Sequence, residues 1–136
     1  LVRWFHARRS HVGVQRVVDV QRLQCLLQVA ALPRVDWITS HADADGRLVR
    51  ALLAHGEKQP EIMPHGLVVA GTGNGTLHHA LEAALLEAQA QGVRVWRSSR
   101  CVRGRVIPGG QTALPDSGGL SPAKARIALA LELMGL

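Results

Sequence analysis

Residues 66–92 read GLVVAGTGNGTLHHALEAALLEAQAQG, and no other stretch constrains the fold as much. The continuous apolar run GLVVAG (66–71) is what a strand buried on both faces requires, and such strands belong to parallel sheets covered by helices. Three alternating glycines interrupt the run, and a helical period starts behind them. Leu77, Ala80, Leu81, Ala84, Leu85 and Ala88 fall on one helix face. Thr76 is the expected N-cap of that helix and Gly92 its expected terminator.

The flanking sequence repeats the alternation. RVDWITSH (34–41) has the β-branched and aromatic content of a strand. DADGRLVRALLAHG (43–56) predicts a helix capped by Asp43 or Asp45 and stopped at Gly56. EKQPEIMP (57–64) is a polar loop punctuated by proline, VRVWRSS (93–99) a third strand, and 100–119 a long loop rich in glycine. SPAKARIALALELMGL (121–136) predicts a closing helix with Ser121 as cap and Pro122 at its first position. Because that helix is apolar nearly all round, it is expected to be buried. Strands alternating with helices imply parallel pairing and right-handed crossovers. The fold class is therefore α/β: a small three-layer parallel-sheet domain over residues 32–136. Residues 1–31 form a separate N-terminal segment whose mixed periodicity fits a helix or a pair of strands.

Bulk properties narrow the function. A chain of 136 residues suits one domain with a core that needs no disulfide staples. Cys25 and Cys101 have no metal-like spacing and read as ordinary thiols. No apolar run approaches the ~18 residues of a membrane span, and LVRWFHARRSH lacks the apolar centre of a signal peptide. The net charge of +6 invites a nucleic-acid partner. Arg3, Arg8, Arg9, Arg16 and Arg22 stand against Asp19 alone in residues 1–30, so most of the excess lies there. Three Trp, one Phe and no Tyr make a poor stacking platform for single strands.

The glycine turn lies at the carboxyl end of a predicted parallel strand, where open α/β sheets bind ligands. Gly71, Gly73 and Gly75 permit positive φ and close backbone approach, and Asn74 between them tolerates the left-handed region and offers both a donor and an acceptor. The helix that follows favours negative charge at its start. A phosphate-binding P-loop is excluded because no Lys follows. A dinucleotide fingerprint needs its third glycine where Thr76 stands. A small carboxylate or amide ligand fits, as does a plain strand-to-helix turn.

Other constellations read as structure. Asp43 and Asp45 are helix caps. His78 and His79, adjacent on a helix, are expected to point apart and cannot share a metal. His41, His55 and His65 are scattered near element ends. Ser98 and Ser99 lack a nucleophile elbow and are expected to hydrogen-bond to the loop. Arg94, Arg97, Arg100, Arg103 and Arg105 form a basic cluster, but Arg94 and Arg97 face opposite sides of the strand, so the cluster splits and suits subunit salt bridges and solubility better than a phosphate backbone.

The glycine hinge GLVVAGTGNGTL, the strand VRVWRSSR, the helix start SPAKARIAL and the first unit RVDWITSHADADGRLVRALLAHG occur in one order over residues 32–136. Together they resemble the C-terminal domain of the bacterial-type L-asparaginase family, which includes the glutaminase-asparaginases. The resemblance implies hydrolysis of the side-chain amide of asparagine, and often glutamine, to the acid and ammonia. It implies a threonine nucleophile in an N-terminal domain, supported there by a second threonine, an aspartate and a lysine. It implies a homo-oligomer in which the C-terminal domain of one subunit closes a neighbour's site. The family's hinge asparagine, matching Asn74, lies near the substrate across that boundary, with Gly71, Gly73 and Gly75 as its support.

Thr39, Thr72, Thr76 and Thr112 are the threonines here; none stands in the Thr-Gly-Gly context of the family's nucleophile and none precedes an Asp. Lys58 and Lys124 are the only lysines. The chain is therefore read as a truncated or mis-started C-terminal domain, with no catalytic residue of its own and inactive alone. No cofactor, metal, nucleic acid or membrane enters that reading. The family's loop after Arg-Ser-Ser-Arg carries an acidic residue toward the neighbour's site, and Asp116 is the sole acid in the loop here. Residues 57–65 exceed the family's short turn. Two readings from the residues alone stay open: a free-standing α/β module that binds a small acidic ligand at the same turn, and a basic nucleic-acid-binding fragment driven by residues 1–30.

Overall fold

The computed structural model describes residues 20–102, 104, 106 and 112–136. Three strands, β1 (Val35–Thr39), β2 (Gly66–Gly71) and β3 (Arg94–Ser99), form one parallel sheet in the order β1-β2-β3. Val35 pairs with Gly66 and Gly66 with Arg94, and the register runs unbroken to Thr39, Ala70 and Ser98. As the central strand, β2 is buried at all six positions, which accounts for its continuous apolar run.

Strand parity sorts the core into two layers. Ile38, Leu67, Val69 and Val95 face α2 (Arg47–Lys58) and α3 (His79–Ala90), meeting Val49 and Leu53 of the first and Leu81 and Leu85 of the second. Val35, Val68 and Trp96 face α4 (Pro122–Leu133), meeting Ala125, Ala128 and Leu129. Each fully buried Leu or Val contributes about 1.5–3 kcal/mol, so the two layers carry most of the stabilisation. The architecture is the expected α/β sandwich of helix, sheet and helix.

Element ends depart from the sequence expectations for tertiary reasons. The N-cap of α2 is Gly46, not Asp43 or Asp45, although Asp45 still binds the first turn: its Oδ1 accepts from Arg47 N at 3.0 Å. Gly56 does not stop α2, which continues to Lys58; it is buried because Met63 packs against it. The N-cap of α3 is His78, not Thr76, and its Nδ1 accepts from Ala80 N at 3.3 Å. Gly92 does follow the C-cap of α3 in the left-handed region. Ser121 caps α4 by position, with Pro122 next, but without a side-chain cap bond.

The closing helix is buried on one side only. Ala125, Ala128, Leu129 and Ala130 are buried, whereas Ile127 is 50% exposed, because the sheet covers a single face of α4. The loop before β2 contains a 3-10 turn, Pro60–Ile62. Within the N-terminal segment the described part is a helix, α1 (Val20–Gln28), with no buried residue; residues 1–19, including Arg3, Arg8, Arg9 and Arg16, lie outside the described residues. Among the described residues no helix is long and apolar enough to cross a membrane.

Candidate functional site

Because all three strands run the same way, their carboxyl ends bring Ser40, the glycine turn and Ser99–Cys101 together at one edge of the sheet. The turn is closed by a pair of backbone bonds: Thr72 N donates to Thr76 O at 3.0 Å and Thr76 N to Thr72 O at 2.9 Å. Gly73, Asn74 and Gly75 form the tip between them, and Asn74 is exposed. Each glycine is required differently. Gly73 (φ 48°) and Gly75 (φ 77°) occupy the left-handed region. Gly71 does not; a Cβ there would lie 2.5 Å from Gly75 C and 2.7 Å from the carbonyl oxygens of Gly75 and Thr76. Among the described residues no non-glycine has positive φ, so Asn74 is not in the left-handed region; its glycine neighbours take up the reversal instead.

The turn is held from β3. Ser99, 5% exposed, donates its hydroxyl to Gly73 O at 2.6 Å and accepts from Cys101 N at 3.2 Å. Gly73 N donates to Cys101 Sγ at 3.3 Å, and Arg100 N to Gly71 O at 2.8 Å. A Cβ on Gly75 would meet Val106 and the aliphatic stem of Arg97. Ser98 faces the other way and donates to Leu120 O at 2.7 Å. Both serines thus serve as hydrogen-bond donors to loops. The particular role of Ser99, and any role for Cys101, was not legible from sequence, since neither the reach of the turn nor its partner is encoded locally.

The turn does not open the helix, which is a correction to the sequence reading. Thr76 is engaged in closing the turn, so α3 begins only at His79. Its entry is tied to β1 instead: His78 N donates to Ser40 Oγ at 3.2 Å. His78 has extended backbone (φ −68°, ψ 136°), so the angular step between successive helical residues does not separate it from His79. Their rings lie 4.4 Å apart rather than pointing apart. Among the described residues no group of three or more His, Cys, Asp or Glu side chains is arranged for a metal ion.

Several of the remaining candidates are engaged structurally. The Arg47 N–H, with the Arg47 guanidinium behind it, holds the Asp45 carboxyl below its usual range. Arg94 pairs with Glu132 of its own chain at 3.1 Å, so its charge is not reserved for another subunit. Arg97 is buried, and its Nε has no hydrogen-bond partner among the described residues. Arg103 and Arg105 lie outside the described residues. Asp116 Oδ1 accepts from Gly118 N at 2.7 Å. Thr112 Oγ1 accepts from Leu114 N. Cys25 and Cys101 are exposed and form no disulfide.

A family model for the glutaminase/asparaginase C-terminal domain matches residues 34–134. The chain belongs to this family. It is 38% identical over 105 residues to L-asparaginase 2 of Bacillus subtilis (strain 168), a match covering 75% of this chain and 26% of that protein. It is 33% identical over 107 residues to L-asparaginase 2 of Escherichia coli (strain K12), covering 75% and 29%. The crystal structure of a probable cytoplasmic L-asparaginase from Campylobacter jejuni superposes with a TM-score of 0.67 at 33% identity, covering 79% of this chain and 32% of that one. The chain thus spans about a quarter to a third of the length of these relatives. A carboxamide such as that of Asn74 at the exposed tip can donate and accept hydrogen bonds, but it cannot attack a carbonyl.

Proposed function

We propose that this chain is the substrate-closing C-terminal domain, residues 32–136, of an amidohydrolase acting on asparagine or glutamine. In the complete homo-oligomeric enzyme it forms part of the subunit interface. It presents Asn74 to a neighbour's active site, where the carboxamide orients the substrate, while the acyl-transfer chemistry belongs to a threonine of the N-terminal domain. The observation that carries this reading is the turn itself: an exposed Asn74 between two positive-φ glycines, braced at the carboxyl ends of the strands. Amide hydrolysis needs an activated nucleophile, and none of Thr39, Thr72, Thr76 and Thr112 stands in the Thr-Gly-Gly context of the family's nucleophile. The chain alone is therefore inactive.

The test is ammonia release from L-asparagine and L-glutamine by the pure chain, alone and mixed with the N-terminal domain of the Bacillus subtilis relative. No turnover is expected alone. Turnover is expected in the mixture, with Asn74→Ala lowering kcat/KM by about tenfold, the scale of one or two lost hydrogen bonds. Robust turnover by the chain alone, or an Asn74→Ala variant as active as the parent, overturns the assignment.

A further inference from the structure

We propose that Ser99 is the positioning residue for Asn74, acting on a bound substrate solely through the turn; this rests on the reading of Asn74 as a substrate contact. Ser99 and Ser98 are adjacent, yet parity sends them to different tasks. Ser98 is fully buried and secures the loop at Leu120 O, whereas Ser99 bonds Gly73 O, one peptide unit from Asn74. At 2.6 Å this bond is at the short end for a hydroxyl donor, and its donor Ser99 is buried. Ser99 Oγ also accepts from Cys101 N, so the hydroxyl is engaged as both donor and acceptor.

The surroundings hold that geometry. Gly104 N donates to Cys101 O at 2.9 Å, closing a turn directly over the Ser99 hydroxyl. A Cβ on Gly104 would run into Ser99 Oγ and lie 2.7 Å from Cys101 Cβ and 3.0 Å from Gly73 O. On the far side, Gly75 rests on the Arg97 stem and Val106. Both neighbours of Asn74 are therefore fixed from β3 and the segment behind it. Glycine has the widest backbone freedom of any residue, so the Gly73 peptide keeps one orientation only while the brace holds. Without the Ser99 hydroxyl, Gly73 O loses its partner and the tip can turn.

Two arms test this. The first uses the isotope-labelled chain and amide NMR on the parent, Ser99→Ala, Ser99→Thr and Gly104→Ala. Ser99→Ala is expected to move the Gly73 and Asn74 resonances and to speed Cys101 N–H exchange about tenfold, the loss of one hydrogen bond. Val68 and Val69 should be unaffected. Ser99→Thr should restore the parent spectrum, and Gly104→Ala should disturb Asn74 with the hydroxyl still present. Unchanged Asn74 signals, or exchange accelerated equally in β2, overturn the proposal. The second arm is ammonia release in the two-domain mixture. Ser99→Ala should raise KM more than it lowers kcat, and should add nothing to Asn74→Ala, because residues acting through one another are non-additive. Additive losses overturn it. If Asn74→Ala alone leaves activity intact, the functional reading fails, and the NMR arm still decides the brace.

Discussion

Gly71 and Gly73 stand two residues apart in one turn, yet alanine should cost very different amounts at each. At Gly73 a new Cβ meets nothing within 4 Å, so the cost is that of holding an L-residue at φ 48°, about 1–2 kcal/mol. At Gly71 the backbone angle is unobjectionable, but the Cβ falls 2.5–2.7 Å from three backbone atoms of Gly75 and Thr76. Comfortable carbon contacts lie at about 3.5–4.0 Å, so the far limb of the turn must move by about 1 Å. That movement breaks the two bonds between Thr72 and Thr76, about 1 kcal/mol each, and adds an overpacking cost of about 1–3 kcal/mol. The total for Gly71→Ala is about 3–5 kcal/mol. Urea unfolding followed by tryptophan fluorescence reads the difference, since Trp37 and Trp96 sit in the sheet. With an m-value of about 2 kcal/mol/M, Gly71→Ala should lower the midpoint by about 2 M and Gly73→Ala by about 0.5–1 M. Equal shifts, or the reverse order, refute the assignment of one glycine to close approach and the other to backbone angle.

His78→Ala removes the acceptor for Ala80 N and should cost about 1 kcal/mol in urea unfolding, with His78→Asp restoring it; an unchanged midpoint for the alanine variant means the cap contributes nothing. Arg50 forks onto Glu87 with two bonds of 2.8 Å, and these bonds hold the Glu87 carboxyl below its usual range and raise the Arg50 guanidinium. A carboxyl lowered in the folded state contributes stability above its unfolded value of about 4.3 and loses it as pH falls through the folded value. Carboxylate NMR should therefore show Glu87 titrating below ordinary glutamates in the parent and with them in Arg50→Ala, and identical curves refute the pairing.

The bodies of the elements were legible because burial writes them directly into the sequence. A strand paired on both sides and covered on both faces must be apolar throughout, and GLVVAG is. The helical stripe Leu81, Ala84, Leu85 and Ala88 is buried as its period requires. The ends were not legible, because each is settled by a distant partner. Thr76 has the chemistry of a cap but is claimed by Thr72, which moves the cap to His78, and His78 is fixed by Ser40 just beyond β1. Gly56 has the chemistry of a stop but lies where Met63 needs room. The glycine turn was visible as a turn, and Asn74 as its tip. Which residue carried the reversed backbone, and that Ser99 would reach back to Gly73, depended on a closure that only the folded sheet supplies.

The distance between turn and helix also decides which chemistry these strand ends can offer. A helix N-terminus attracts anions through its unpaired N–H groups and its dipole, and that was the basis for an acidic ligand at the glycines. Here Thr76 and Leu77 intervene, and the Ala80 N–H is taken by His78 Nδ1. The dipole falls off within about one turn, so it contributes little at the tip. What the tip presents is one carboxamide on a backbone fixed from both sides. Such a group selects by direction rather than by charge, and it becomes useful only when another surface supplies the rest of the site. Under the proposed function, a turn that makes contact in trans needs its rigidity on its own side of the interface, and that is where Ser99, Cys101 and the Arg97 stem lie.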